Sequence, residues 1–214
     1  MTRKMADSTE LANLPPGFDL YAGYDDGAWP NAAAIAAQFP GKPVVRITVF
    51  PSDNEGDCLD VESGDAAPQD APAWVQRRRA AGADPSVYCS EAIWQNVKDA
   101  FTVANEPQPH YWIAGYPGSV GEALYPGSVA HQWIDRGPYD ESIVADYWPG
   151  IDPPPVPPTE GEEEMAHWQA GGQDHVSGVI GGTAYHWWQN TPGTAPPNPP
   201  ANFYEWHVEK LPMP

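Results

Sequence analysis

Two carboxylic acids that lie close together along the chain are the strongest chemical signal in the sequence. Asp60 and Glu62 are separated by one valine in a β-forming run at 58–62. Alternate side chains of a strand point to the same face, with Cα atoms about 6.6 Å apart, so both carboxyl groups would share one pocket. Hydrolysis of a glycosidic bond needs such a pair, one group protonated and one ionised. Alternatively, one of the two caps a helix or pairs with an arginine.

Three further acidic residues could join this pair at other strand ends. Asp25 and Asp26 follow a β-rich run at 18–24, although this position also fits an ordinary Asp-Gly turn. Asp140 precedes the last predicted strand. If that strand runs antiparallel to the one ending at Ile134, Asp140 lies on the same rim as the pair. If it runs parallel, Asp140 lies at the opposite end.

Four aromatic residues are also placed near predicted strand ends, namely Tyr88, Trp112, Tyr116 and Trp133. Their rings could stack on sugar rings beside the carboxylates. Alternatively, they belong to the core, as most tryptophans of a small barrel do.

The elements that must position these residues alternate between strands and helices in residues 1–150. β-rich runs lie at 18–24, 44–50, 58–62, 86–89, 110–116, 129–134 and 142–147, and helical segments at 30–39, 70–82 and 90–101. In the last helix, Ile93, Val97 and Phe101 recur at a helical interval and predict one buried stripe.

Strands joined by helix-length segments imply right-handed crossovers and a parallel sheet, most simply closed into a barrel with its site at one end. A full eightfold barrel typically needs about 250 residues. We therefore predict an α/β fold, a shortened, irregular TIM-like (β/α) barrel of seven strands and three helices that ends in hairpins, followed by a small all-β C-terminal module.

The charge balance excludes several classes of partner. The chain has 214 residues and a formal net charge of −19, which disfavours binding to a nucleic-acid phosphate backbone.

Membrane and export segments are not indicated by the sequence. No run approaches the roughly 18 apolar residues of a spanning helix, and residues 1–16 contain no apolar segment of signal-peptide type. We expect no nucleic-acid partner, no membrane partner and no export signal.

Cofactor and metal signals are weak. Cys58 and Cys89 are too few for a disulfide framework, and we expect both to be buried free thiols. His110 and His131 show no metal-ligand spacing, and no glycine-rich phosphate loop follows a strand. The sequence predicts no cofactor and no metal.

Five short motifs together resemble the family-25 glycoside hydrolases, most closely the compact version found in actinobacteria and their bacteriophages. In family order they are YAGYDDG (21–27), LDVESGDA (59–66), VYCS (87–90), YWIAGY (111–116) and AHQWID with YDES (130–142). The resemblance covers roughly residues 18–150. It implies an irregular barrel with few helices, and a muramidase that cuts the β-1,4 bond after N-acetylmuramic acid in peptidoglycan.

The resemblance also implies roles for the acidic residues. Asp60 and Glu62 match the paired carboxylates, with Glu62 the implied acid. Asp26, or else Asp25, matches an aspartate at the end of the first strand, and Asp140 matches a late aspartate. The candidate catalytic residues are therefore Asp60, Glu62, Asp26 and Asp140.

The candidate substrate-binding residues surround these carboxylates. With the late Gln-aromatic strand of the family included, they are Asp25, Tyr88, Trp112, Tyr116, Gln132 and Trp133. The chain departs from the family in its short length, in a missing strand-helix unit between Phe50 and Cys58, and in Tyr-Asp-Asp-Gly where the family has Asp-x-Ser. These changes lie in the substrate cleft. They are also compatible with a barrel that binds sugar but does not hydrolyse it.

The remainder of the chain divides into a linker and a small module. Residues 151–164 combine a polyproline run with acidic residues and are predicted to form a linker. Residues 165–214 are predicted to form three or four short antiparallel strands that resemble one blade of a propeller lectin. Because one blade cannot bury both faces, the module is expected to pack on a protein surface, or to stack Trp187, Trp188 and Trp206 on glycans.

Two functions from different classes fit these patterns. The first is an endolysin or virion-carried hydrolase whose partner is the bacterial cell-wall glycan. The second is a non-catalytic virion structural or glycan-binding protein, such as a minor tail protein or capsid accessory, that forms a homo-oligomer or binds other virion proteins through residues 165–214. The expected location is the virion, or the host cytoplasm before lysis.

Overall fold

A computed structural model describes residues 3–116, 120–153, 166–170, 173–180, 183–190 and 207–210. The chain divides into two compact units, residues 1–154 and residues 155–214. Each unit is described by itself.

Eight strands close into a barrel in the first unit. In order around the barrel they are β1 (Arg3–Asp7), β2 (Leu20–Tyr24), β3 (Val44–Thr48), β4 (Cys58–Val61), β5 (Ser86–Ser90), β6 (His110–Ala114), β7 (Ala130–Asp135) and β8 (Asp140–Val144). Strands β1 to β7 are parallel, whereas β8 is antiparallel to both β7 and β1. The predicted α/β barrel is confirmed, although eight strands close it rather than seven.

The additional strand, β1, was not predicted from the sequence. Its segment RKMAD contains only two apolar residues in succession, Met5 and Ala6, and both are fully buried. Met5 pairs with Leu20 of β2 on one side and with Ser142 of β8 on the other. The strand ending at Tyr24 is therefore the second of the barrel and not the first.

Three α-helices lie between parallel strands: α1 (Ala32–Gln38), α2 (Ala71–Ala80) and α3 (Glu91–Ala104). They connect β2 to β3, β4 to β5, and β5 to β6, as predicted. Val97 and Phe101 of α3 are buried and Ile93 packs against the same cluster, which confirms the predicted stripe. Two short 3-10 helices, Leu11–Asn13 and Pro68–Asp70, complete the helical segments of the described barrel residues.

Apolar side chains fill the barrel interior, and Trp148 lies among them. Its indole Nε1 donates a hydrogen bond to Ser86 Oγ at 2.7 Å. Because β8 runs against the other strands, residues after Val144 return to the end where the parallel strands begin. Trp148 therefore fills the end of the barrel opposite to Asp140.

The barrel continues into the segment predicted as a linker. The Asp152 carboxylate binds the Arg3 guanidinium through two hydrogen bonds of 2.7 and 2.6 Å and accepts the Trp148 backbone N–H at 2.6 Å. Ile151 packs against the interior cluster. These contacts belong to the barrel unit, and residues 154–164 of the predicted linker lie outside the described residues.

The second unit contains four antiparallel strands, as predicted for this region. They are β9 (Ala166–Ala170), β10 (Gln173–Ile180), β11 (Thr183–Asn190) and β12 (His207–Lys210), in the sheet order β12-β11-β10-β9. Trp187 is only 4% exposed, which agrees with the packing alternative for this residue and not with stacking on a glycan. Trp188 is half-buried, and Trp206 lies outside the described residues.

Two simpler expectations concern thiols and membrane segments. Cys58 and Cys89 are buried and free, as predicted. Among the helices of the described residues, none has the length and apolar character needed to span a membrane.

The role of β1 in closing the barrel can be tested by truncating its buried side chain. Met5→Ala should lower the free energy of unfolding by about 2–5 kcal/mol, because it leaves a cavity in a packed core. Urea denaturation followed by circular dichroism measures this change. Val103→Ala, on an α3 residue that is 87% exposed, is the control and should stay within about 0.5 kcal/mol of the wild type. An equally small effect of Met5→Ala would contradict the assignment of β1 to the barrel.

Candidate functional site

Strand alternation decides which acidic side chains face the barrel interior. In β4, Cys58 belongs to the interior cluster, whereas Leu59 and Val61 pack under the helices. Asp60 and Glu62 follow Cys58 at intervals of two, so both point towards the interior at the carboxyl end of the strand. The sequence-based prediction that the two side chains share one face agrees with this arrangement.

The strands β1 and β8 bring two more carboxyl groups to the same end. Asp7 ends β1, two residues after the interior Met5, and Asp140 begins β8 as the direct partner of Asp7. The antiparallel direction of β8 thus places Asp140 on the rim of the pair, the first of the two alternatives that its sequence position allowed. We call Asp7, Asp60, Glu62 and Asp140 the carboxyl cluster.

The members of the carboxyl cluster are close enough to influence one another. The charge of Asp140 raises the pKa of Asp7, and the charges of Glu62 and Asp7 raise the pKa of Asp60. The charge of Asp140 also raises the pKa of Glu62. Residues from three strands therefore form one electrostatically connected site.

A chain of hydrogen bonds holds Asp7, a residue that was not predicted from the sequence as part of the site. Gln132 Nε2 donates to Asp7 Oδ1 at 3.2 Å and to Oδ2 at 3.1 Å. Tyr88 donates its hydroxyl hydrogen to Gln132 Oε1 at 2.6 Å. Since the amide has one donor end and one acceptor end, the two contacts fix its orientation. The only sequence signal for Asp7 is an aspartate directly after two apolar residues.

Asp60 is the least exposed residue of the carboxyl cluster. Its residue is 3% exposed, and Oδ1 has no hydrogen-bond partner among the described groups. Burial is the largest cause that raises its pKa, followed by the negative charges of Glu62, Asp65 and Asp7, and the pKa lies well above its ordinary value. A proton on Asp60 therefore relieves both the desolvation and the repulsion.

Glu62 is half-buried at the mouth of the cluster. Burial raises its pKa first, and the charge of Asp65 raises it further, while hydrogen bonding with Tyr88 opposes the rise. Tyr88 has a single hydroxyl hydrogen, which Gln132 receives in this arrangement. Burial and the charge of Asp65 outweigh the hydrogen bond with Tyr88, so the pKa of Glu62 is raised overall.

Asp140 is also half-buried, and Tyr116 lies beside it. Burial and then the charge of Asp135 raise the pKa of Asp140, whereas hydrogen bonding with Tyr116 lowers it. Tyr116 is 44% exposed and follows the end of β6, so it lies on the rim. Glu62 and Asp140 are thus the two members of the cluster that are accessible from solvent.

Positive charges near this end of the barrel are bound to other acids. Lys4 Nζ lies 2.8 Å from Glu141 Oε1, and Arg136 lies 2.9 Å from Glu141 Oε2. Arg46 lies 2.5 Å from Asp25 Oδ2. Within the described part of the chain, no Lys or Arg is among the causes that shift the pKa values of the carboxyl cluster. Protonation and neutral hydrogen-bond donors, rather than cations, therefore stabilise the carboxyl groups of the cluster.

The structure does not bring Asp25 and Asp26 into the carboxyl cluster. Asp25 pairs with Arg46, and Asp26 accepts hydrogen bonds from the Thr48 hydroxyl and from the backbone N–H groups of Val49 and Phe50. Both follow β2 rather than the first strand of the barrel. Asp7, and not Asp26, lies at the end of the first strand of the barrel.

The predicted sugar-binding aromatics divide into two groups. Tyr88 and Tyr116 lie beside the carboxyl cluster, together with Gln132. Trp112 is buried, packs edge-on against Tyr88 at 4.8 Å, and donates from Nε1 to Ser142 Oγ at 3.0 Å, so it supports the site from the core.

Trp133 lies apart from this site. Its ring is 5.5 Å from the Arg136 guanidinium and 6.0 Å from Lys4 Nζ. A register irregularity in β7 falls between Gln132 and Ile134, and Gln132 is the residue that contacts Asp7. Trp133 therefore contacts the cations that pair with Glu141 and not the carboxyl cluster.

The described residues contain no group of three or more His, Cys, Asp or Glu side chains arranged to hold a metal ion. No protein-family model, no curated protein and no solved structure matches this chain.

The burial of Asp60 predicts a measurable dependence of stability on pH. Its pKa is raised in the folded protein, so the folded state binds more protons than the unfolded state above about pH 4, and stability falls as pH rises through this window. Asp60→Asn cannot ionise. It should be more stable than the wild type at pH 7, by on the order of 1 kcal/mol or more, and should lose this advantage near pH 3.

Thermal unfolding at pH 3, 5 and 7 measures the effect. Asp99→Asn, on an exposed residue of α3, is the control. Its stability relative to the wild type should not rise between pH 3 and pH 7. If the wild type is more stable than Asp60→Asn at pH 7, the Asp60 carboxylate is stabilised by its surroundings, and its pKa is not raised by burial.

Proposed function

We propose that the protein is a glycoside hydrolase that acts on bacterial cell-wall peptidoglycan by muramidase-type cleavage with paired carboxyl groups. One observation carries the proposal. Four carboxyl groups meet at one end of a closed barrel with no described cation to neutralise them, and all four have raised pKa values. Such a group of perturbed acids is costly for folding and typical of a site that performs acid–base chemistry.

Glu62 is proposed as the general acid that protonates the leaving-group oxygen. It is half-buried, so a substrate can reach it, and its pKa is raised, so it keeps its proton closer to neutral pH. The fully enclosed Asp60 lies beneath it. A buried, protonated Asp60 keeps the neighbouring charge low and allows the accessible Glu62 to exchange its proton with the substrate.

Asp140 is the proposed second carboxyl group, acting as nucleophile, as base or as electrostatic stabiliser. It is the other accessible member of the cluster, and hydrogen bonding with Tyr116 favours its ionised form. The Tyr88–Gln132–Asp7 chain holds a further carboxyl group in a fixed position. Negative charge on Asp140 would stabilise the positive charge that develops on the sugar ring in an oxocarbenium-like transition state.

The substrate class follows from charge and from the sequence motifs. A net charge of −19 disfavours polyanionic substrates such as nucleic acids. The resemblance of residues 18–150 to family-25 glycoside hydrolases supports peptidoglycan as the glycan. An endolysin or a virion-carried hydrolase is the corresponding biological setting.

Removal of the proposed acid tests the activity. Glu62→Gln should lower the release of reducing ends from actinobacterial peptidoglycan by about 100-fold or more, since general acid catalysis contributes about 10²–10⁴-fold. The melting temperature should not fall, because the change also removes a partly buried charge. Glu55→Gln, on an exposed residue, is the matched control and should keep full activity. A folded wild type without activity on any peptidoglycan would refute the proposal.

The raised pKa of Glu62 also predicts the shape of the pH–rate profile. Activity should decline as pH rises through that pKa, because the acid must carry a proton, and should decline in more acidic solution as the second carboxyl group becomes protonated. Initial rates between pH 3 and pH 9 provide the profile. A rate that is constant across this range would contradict a mechanism with two carboxyl groups.

A row of aromatic rings in the second unit favours a second candidate, a non-catalytic virion or glycan-binding protein. His186 and Trp188 of β11 are 5.2 Å apart, Trp188 and His207 are 5.3 Å apart, and His175 stacks on His186 at 5.1 Å. Flat rings in a row suit the apolar faces of sugars. Retention of an inactive wild type on peptidoglycan, lost in Trp188→Ala, would support this candidate over the enzyme.

A further inference from the structure

A concave feature lies on the barrel rim beside the carboxyl cluster. It is a pocket of about 230 Å³ whose walls include Tyr24, Trp29, Phe50 and Asp65. Trp29 is 56% exposed and Phe50 is 53% exposed, so two large aromatic side chains remain open to solvent on one pocket. Its volume is below the roughly 300–1,000 Å³ of sites for drug-sized ligands, so it suits a single ring.

The two loops that carry these aromatic residues are tied together by Asp26. This carboxylate follows β2 on the Trp29 loop, and it accepts the backbone N–H groups of Val49 at 2.8 Å and Phe50 at 3.3 Å beyond β3. Gly27 adopts φ of 78°, and a Cβ atom there would approach Val49 Cγ2 to 2.9 Å, so the loops pack closely. The pocket is thus built before any ligand arrives.

The pocket lies beside the carboxyl cluster. Asp65, in its wall, donates its backbone N–H to the Glu62 backbone oxygen at 3.2 Å. Tyr24, in the same wall, packs against the interior cluster, as does Tyr88. A chain of sugars bound across Glu62 would therefore continue over this pocket.

We propose that the pocket is a subsite that binds one uncharged pyranose ring of the substrate glycan, next to the rings that flank the cleaved bond. Trp29 and Phe50 offer flat apolar faces for the C–H face of a sugar, and the Asp65 carboxylate accepts hydrogen bonds from its hydroxyl groups. The Asp26 and Asp65 carboxylates in the pocket wall disfavour a ring that carries a carboxylate. The subsite rests on the proposed function, since it is defined by the same glycan.

Calorimetric titration with the β-1,4-linked tetramer of N-acetylglucosamine, an uncharged probe, tests the subsite. The titration is made on the full-length chain carrying Glu62→Gln, which prevents turnover. Adding Trp29→Ala should raise Kd about tenfold or more, and adding Phe50→Ala should raise it several-fold. Tyr147→Ala, which removes an exposed aromatic side chain at the opposite end of the barrel, is the control and should leave Kd unchanged.

The charge requirement is tested with the β-1,4-linked tetramer of glucuronic acid, which has the linkage of the neutral probe and carries a carboxylate on each pyranose ring. Binding of the neutral probe with no detectable binding of the anionic one supports the proposal. Equal affinity for both probes, or no binding of the neutral probe, overturns it.

The subsite and the catalytic proposal can fail separately. If the otherwise unmodified chain hydrolyses peptidoglycan and Trp29→Ala changes neither KM nor probe affinity, the subsite is refuted and the enzyme stands. If that chain hydrolyses nothing, yet Trp29→Ala still weakens probe binding about tenfold, the subsite stands as a glycan-binding pocket and catalysis is refuted.

Discussion

Mutual repulsion among buried carboxyl groups is the constraint on which the site depends. Asp7, Asp60, Glu62 and Asp140 face one end of the barrel interior, and full ionisation of all four would combine desolvation with like-charge repulsion. Neutral donors hold the group together, and retained protons lower its charge. A site of this kind is poised to give and take protons, which is what glycosidic bond cleavage requires.

The barrel meets this constraint through its closure. β1 and β8 complete the ring and each contributes a carboxyl group, so the same two strands that close the barrel also complete the site. The opposite end is filled by Trp148 and by the Arg3–Asp152 ion pair, while Lys4 and Arg136 bind Glu141. Cations therefore stabilise the barrel without neutralising the carboxyl cluster.

The alternation of side chains between the two faces of a strand was enough to predict part of this arrangement. The spacing of Asp60 and Glu62 placed both on one face of a strand, and the placement of Asp140 required only the direction of β8. β1 could not be predicted, because a strand with two apolar residues is stabilised by its neighbours and not by its own pattern, and Asp7 was missed with it. Nor could the sequence show that Asp26 ties two loops together, since those hydrogen bonds join different connections.

Direct observation of the protonation states tests the central claim most closely. Carbon-13 NMR of the side-chain carboxyl carbons, titrated from pH 2 to pH 9, follows each acid separately. We expect Asp60 and Glu62 to titrate above the ordinary range of aspartate and glutamate, with Asp60 still protonated at a pH where an unperturbed aspartate is ionised. Titration of all four cluster members within the ordinary range would contradict it.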